Sequence, residues 1–138
     1  MPDVAYNISV SGEKRLPRRP VEWVASCRVE LKAFPHEVRF DMAYAILLAQ
    51  DGKKHPDAKP MHGFGGAGVL EFVDDYDGDT YRAVYTVKFE EAVYVLHAFQ
   101  KKSKSGHATP KLVLDLIERR LKAAEKRHAE LLKAQSHE

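Results

Sequence analysis

The dipeptide Asp77-Gly78 lies between two runs dense in Val, Tyr, Phe and Thr, and that junction constrains the fold more than any other feature. A two-residue Asp-Gly loop joins antiparallel strands whose twist it matches. The flanking runs, Val69 to Asp75 and Thr80 to Phe89, are therefore predicted to pair as a hairpin. A third strand is expected over Ala92 to Gln100, reached through Glu90-Glu91. Alternation puts Thr80, Arg82, Val84, Thr86 and Lys88 on one face of the middle strand, and Tyr81, Ala83, Tyr85, Val87 and Phe89 on the other. The third strand places His97 and Phe99 on one parity and runs directly into Lys101, Lys102 and Lys104. Such a sheet can carry cations on one face and pack the other on helices, as a binder of phosphate backbone requires.

Helical signals flank the sheet. Pro20 suits the first turn of a helix, and Val21, Val24, Cys27, Arg28 and Leu31 follow a 3.6-residue stripe with Trp23 at its edge. Pro35 breaks that helix at Phe34. A second runs from His36 to Ala49, with Val38, Met42, Ala45, Ile46 and Ala49 on one side, and Asp51-Gly52 ends it. Residues 53–68 read as a connector rich in Lys, Pro and Gly. After a loop over residues 101–109, Thr109 as N-cap and Pro110 at the first position open a last helix. Its stripe is Leu112, Val113, Leu116, Ile117, Leu121 and Ala124. The predicted order is α-α-β-β-β-α. This is an α+β fold of two N-terminal helices, an antiparallel sheet of three or more strands and a C-terminal helix.

A chain of 138 residues suits one domain. Residues 1–19 read as a flexible arm, 20–124 as the folded unit and 125–138 as a charged helical or frayed tail. The net charge of +2 hides an asymmetry. Residues 20–100 hold 8 Lys/Arg against 13 Asp/Glu, whereas residues 101–138 hold 10 against 5. A basic end on an acidic body is compatible with a nucleic-acid partner and equally with a solvated helix face. No apolar run approaches the roughly 20 residues that span a bilayer, and the first residues lack the apolar core of a secretion signal. No membrane association and a cytoplasmic location are expected, which the lone Cys27 suits.

Other motifs dissolve on inspection. Gly63-Phe64-Gly65-Gly66-Ala67-Gly68 fits GxGxxG but precedes a strand, where the dinucleotide motif must follow one. The glycines are better read as permitting a tight turn into the sheet. Asp74, Asp75, Asp77 and Asp79 suggest calcium, yet Gly78 at the sixth loop position puts Val73 first and Val84 twelfth, where carboxylates are needed. The seven histidines show no HxxxH or HExxH spacing, and one cysteine builds no zinc cage. No metal and no cofactor are expected. Cys27 reads as a small core residue. His97 suits either proton transfer or strand packing.

The cations are more informative. Arg82 sits mid-strand between tyrosines, where an unpaired guanidinium is costly to bury. Either it pairs with an acid such as Glu71 on the neighbouring strand, or it faces an anionic ligand. The lysine cluster alone reads as a solvated loop. Its place at a strand end, beside Phe99 and a helix N-terminus, adds a phosphate reading. Aromatics beside cations also supply stacking surfaces for unpaired bases.

In combination these residues resemble the RelE/ParE superfamily of bacterial toxins, closest to its phage-derived HigB-like branch. The resemblance covers roughly residues 20–123. It is carried by Tyr81, Arg82, Tyr85, His97, Phe99, Lys101, Lys102, Ser103, Thr109 and Pro110, with the Lys59-Pro60 connector, Gly63 and Glu71. It implies the toxin of a type II toxin–antitoxin system, a ribosome-dependent mRNA endoribonuclease that inhibits translation by metal-free attack of a ribose 2′-OH on the adjacent phosphate. It further implies mRNA on the ribosome as partner, and a HigA-like antitoxin with a helix-turn-helix DNA-binding domain. Carried over by position, Arg82, His97, Lys101 and Lys102 are the candidate catalytic residues, and Lys59, Tyr85, Phe99 and Lys104 the RNA-binding ones. A gyrase-inhibiting toxin of the ParE branch and a non-catalytic RNA- or ribosome-binding module are the alternatives.

Overall fold

The computed structural model describes residues 17–66, 68–101 and 109–136. Asp77 and Gly78 both take positive φ, 52° and 84°, and close the predicted two-residue turn between β3 (Val69–Tyr76) and β4 (Asp79–Thr86). The strand β5 (Val93–Lys101) pairs antiparallel with β4. The α+β class holds: an N-terminal pair of helices, α1 (Cys27–Lys32) and α2 (His36–Gln50), precedes the main sheet, and a long helix α3 (Lys111–Ser136) follows it.

Two strands escaped the sequence reading. The stretch predicted to begin the first helix is instead β1 (Val21–Trp23), parallel to β5 in the register Val21↔Val93, Glu22↔Tyr94 and Trp23↔Val95. The Pro20 carbonyl accepts from Val93 N–H, and Val24 N–H donates to the Val95 carbonyl. A short apolar stretch satisfies helical and strand spacing alike, and a partner some 70 residues away decides between them. Ala25, at φ 51°, turns the chain from β1 into α1. The connector likewise contains β2 (Ala58–Pro60), antiparallel to β3. Proline, lacking a donor, is tolerated on such an edge. Among the described residues the sheet therefore has five strands in the order β1-β5-β4-β3-β2, and the elements run β-α-α-β-β-β-β-α.

Helices cover both faces, each burying one parity of the sheet. Tyr81, Ala83 and Tyr85 of β4 pack with Phe72, Val93 and Val95 against Cys27, Leu31, Val38, Met42 and Ile46 of α1 and α2. On the other side Val84, Val69, Tyr94 and Leu96 meet Ile117, Leu121 and Ala124 of α3. The face expected to be free of helices is thus half covered by α3. The α3 stripe is also rotated from the predicted one, because Leu112 is exposed whereas Val113, Ile117, Leu121, Ala124 and His128 turn inward.

One irregularity in β5 matters for the site. Opposite β4 the register runs Arg82↔Phe99 and Val84↔His97, then jumps to Tyr85↔Val95, leaving Leu96 as an extra residue. Regular alternation would put His97 and Phe99 on the α1/α2 face with Val93 and Val95. The bulge turns them over to the α3 face, beside Arg82. Bulges re-aim side chains in this way.

Candidate active site

Beyond the apolar contacts of α3, the same sheet face carries charge. Cross-strand pairing places Lys59 opposite Glu71, Arg82 opposite Phe99, and Thr80 opposite Lys101. His97, Phe99 and Lys101 follow one another at spacings of two along β5, roughly 7 Å apiece, with Arg82 alongside Phe99. The imidazole of His97 stacks on the Phe99 ring, centroids 4.9 Å apart and planes 19° from parallel. Four of the residues named from sequence, Arg82, His97, Phe99 and Lys101, therefore share one patch.

Arg82 resolves the choice left open by the sequence. Its Nη1 lies 2.7 Å from Glu71 Oε2, and the two side chains are 12% and 18% exposed. Glu71 thus supplies the counter-charge that makes burial of the guanidinium tolerable. The pairing leaves a donor over. Arg82 Nε is buried without a hydrogen-bond partner, as is Lys101 Nζ at the end of β5, two residues beyond Phe99. Both atoms are closed to solvent in this arrangement, so an acceptor-rich anion such as a phosphate meets these two unsatisfied cationic donors only when the side chains turn outward.

Two residues absent from the sequence reading surround His97. Glu30 of α1 places Oε1 2.9 Å from His97 Nδ1. The same oxygen takes the Ala98 N–H at 3.3 Å, which β1 leaves unpaired by ending at Trp23. Arg120 of α3 reaches Glu30 Oε1 and Oε2 at 3.0 and 3.2 Å and the Leu96 carbonyl at 2.9 Å. Burial lowers the pKa of His97; Glu30 pulls it up and Arg120 pushes it down again, leaving it below the ordinary histidine value. Burial raises the pKa of Glu30, but the hydrogen bonds from Arg120 and His97 outweigh that and leave it lowered. The ring is accordingly neutral and the carboxylate ionised at neutral pH. One signal could have found Arg120: it falls among Ile117, Leu121 and Ala124, and a guanidinium within an inward-facing stripe demands a partner.

The remaining sequence candidates lie elsewhere. Tyr85 is fully buried on the α1/α2 face, its hydroxyl unpartnered and its pKa pushed up by burial to about 12. Its parity removes it from the patch. Lys59 is exposed on the edge strand β2. Lys102, Ser103 and Lys104 lie outside the described residues. Cys27 donates to the Val95 carbonyl at 2.9 Å, and burial pushes its thiol up to about 11, the state of a core residue. Among the described residues no three of His, Cys, Asp and Glu are grouped so as to hold a metal ion. No helix among them is long and apolar enough to cross a membrane.

A family model described as phage-derived protein Gp49-like (DUF891) matches residues 29–122, about two-thirds of the chain. The matched span includes Glu30, Arg82, His97 and Arg120. No curated protein and no solved structure gives a significant match.

Proposed function

The chain belongs to the phage-derived Gp49-like family, and from that membership we propose that it is a HigB-like toxin of a type II toxin–antitoxin system. Its activity is that of an endoribonuclease cutting mRNA on the ribosome. The observation that carries the reading is the bulge at Leu96, which brings His97 and Phe99 onto the face of Arg82 and Lys101. A neutral imidazole, an aromatic ring and unsatisfied cationic donors then lie together. Strand cleavage by internal attack needs that set: a base, a stacking surface and charge for the phosphorane.

In the proposed reaction a nucleobase stacks on Phe99, and Arg82 Nε with Lys101 Nζ holds the scissile phosphate. His97 Nε2 takes the proton of the ribose 2′-OH as its oxygen bonds to phosphorus. The P–O5′ bond breaks, and the leaving oxygen takes a proton from the Lys101 ammonium. The products are a 2′,3′-cyclic phosphate and a 5′-hydroxyl, with no metal in the sequence of steps. Arg82 neutralises the equatorial oxygens, whose negative charge grows toward the transition state. Lys59 on β2 extends the cationic track for the flanking backbone. The cellular partner that restrains this activity is a HigA-like antitoxin.

The test is cell-free translation of one defined mRNA with purified protein, followed by mapping of RNA ends, with ribosome-free RNA in parallel. New ends confined to translated RNA are expected. Arg82→Ala, checked for folding by circular dichroism, should cut at least about a hundredfold more slowly. Intact RNA with normal translation would refute the nuclease and direct attention to gyrase, the target of the related branch. Blocked translation of intact RNA would leave a ribosome binder that does not cut.

A further inference from the structure

We propose that Glu30 and Arg120 are positioning residues that hold the His97 imidazole with its proton on Nδ1, so that Nε2 presents its lone pair to the substrate hydroxyl. The inference rests on the proposed role of His97 as the base.

The hydrogens of Arg120 bear on the tautomer. Nη1 of Arg120 carries two, and they point to the Leu96 carbonyl at 2.9 Å and Glu30 Oε1 at 3.0 Å. The two on Nη2 go to Glu30 Oε2 at 3.2 Å and Ser26 Oγ at 3.3 Å. Nη1 also stands 3.1 Å from His97 Nδ1 in hydrogen-bonding geometry, so a bare Nδ1 could only share a hydrogen that the Leu96 carbonyl or Glu30 Oε1 already takes. A bare Nδ1 would therefore set its lone pair against Glu30 Oε1 at 2.9 Å. A proton on Nδ1 turns that repulsion into a charge-assisted hydrogen bond. In a neutral ring the lone pair then belongs to Nε2.

The carboxylate is itself fixed. Arg120 grips both its oxygens, the Ser26 hydroxyl donates to Oε2 at 3.1 Å, and the Ala98 N–H donates to Oε1. The two charges act on the ring in opposite senses. Glu30 stabilises the imidazolium that forms as the 2′-OH loses its proton, while Arg120 and burial keep the resting ring neutral and able to accept one. Arg82 on β4 and Lys101 on β5 are further cations on this face, and Cys27 beside Glu30 stays a neutral thiol. One helix from each side of the sheet thus sets the ring: α1 through Glu30 and α3 through Arg120.

The experiment pairs nitrogen-resolved NMR of the His97 ring in the full chain with cleavage rates over a pH series. Wild type, Glu30→Gln and Arg120→Gln are compared. The wild-type ring should show its proton on Nδ1. Glu30→Gln should move the titration of His97, and the acid limb of the cleavage profile, to lower pH. Its plateau rate should fall by roughly ten- to a hundredfold. Arg120→Gln should move both to higher pH, an opposition that general loosening of the fold does not produce. A wild-type ring protonated on Nε2, or two variants shifting in the same direction, would overturn the inference while leaving RNA cutting intact. If Glu30→Gln does not fold, the wild-type tautomer and Arg120→Gln decide. A ring that behaves as expected in a protein that cuts no RNA would overturn the base assignment together with the proposed function.

Discussion

Replacing Tyr85 by Phe should make this protein more stable, against the usual effect of removing a tyrosine hydroxyl. Tyr85 is fully buried between the sheet and helices α1 and α2, and its hydroxyl has no hydrogen-bond partner. An orphaned buried hydroxyl costs about 1–3 kcal/mol of desolvation that nothing in the fold returns. Deleting it forfeits some dispersion at the vacated site, on the order of 0.5–1 kcal/mol. The balance is a gain of about 1 kcal/mol near pH 8. With a urea slope of about 1–3 kcal/mol per molar, the unfolding midpoint should rise by roughly 0.5 M at unchanged slope.

Alkaline pH enlarges the difference. Burial raises the folded pKa of Tyr85 from 10.0 to about 12. Ionisation is therefore easier in the unfolded chain, and the tyrosine's stability contribution, complete below pH 10, is lost as pH rises toward 12. The loss is about 1.4 kcal/mol per pH unit in that window. Phenylalanine escapes it, so the advantage of the variant should grow to about 2.4 kcal/mol at pH 11. A midpoint that falls by about 1 kcal/mol equivalent at pH 8 would show that a group in the core does bond the hydroxyl. A difference that stays flat with pH would refute the alkaline argument.

Asp74 faces Asp41 of α2, and burial together with that second carboxyl raises its pKa to about 6. A carboxyl raised above its unfolded value costs stability as pH rises through the folded value, so Asp74→Asn should stabilise at pH 7 by at most about 1 kcal/mol after solvent screening. The gain should vanish below pH 4, which urea midpoints at pH 4 and 7 would show. His128 of α3, 4% exposed, joins the Tyr94 hydroxyl at 2.9 Å and Glu91 at 2.7 Å under the Phe89 ring. His128→Ala should lose about 2–4 kcal/mol in urea unfolding, from cavity and broken hydrogen bonds together. An unchanged midpoint would mean that the C-terminal half of α3 contributes little to holding the sheet.

Legibility followed the range of the interactions. The turn at Asp77-Gly78, helix α2 and the alternation of β4 depend on neighbours in sequence, and residues alone place them. The two possible fates of Arg82 were also visible, since an arginine between tyrosines requires an anion and Glu71 stands on the adjoining strand. Strand β1 was not legible, because Val21–Trp23 becomes a strand only by pairing with β5. Arg120 and Glu30 escaped for the same reason. They are 90 residues apart, and nothing in either local pattern names the other.

The sequence by itself therefore determined the hairpin, the cationic parity of the sheet and the apolar faces of the helices, all consequences of backbone period and turn chemistry. The tertiary structure decided which side of the sheet His97 would occupy and what would hold it there. An extra residue in β5 reverses the side-chain alternation beyond it, and such a bulge is defined only against a partner strand. The charge state of the imidazole depends on burial and on two opposite charges brought in by separate helices. Those are properties of distance in space, which the order of residues along the chain does not contain.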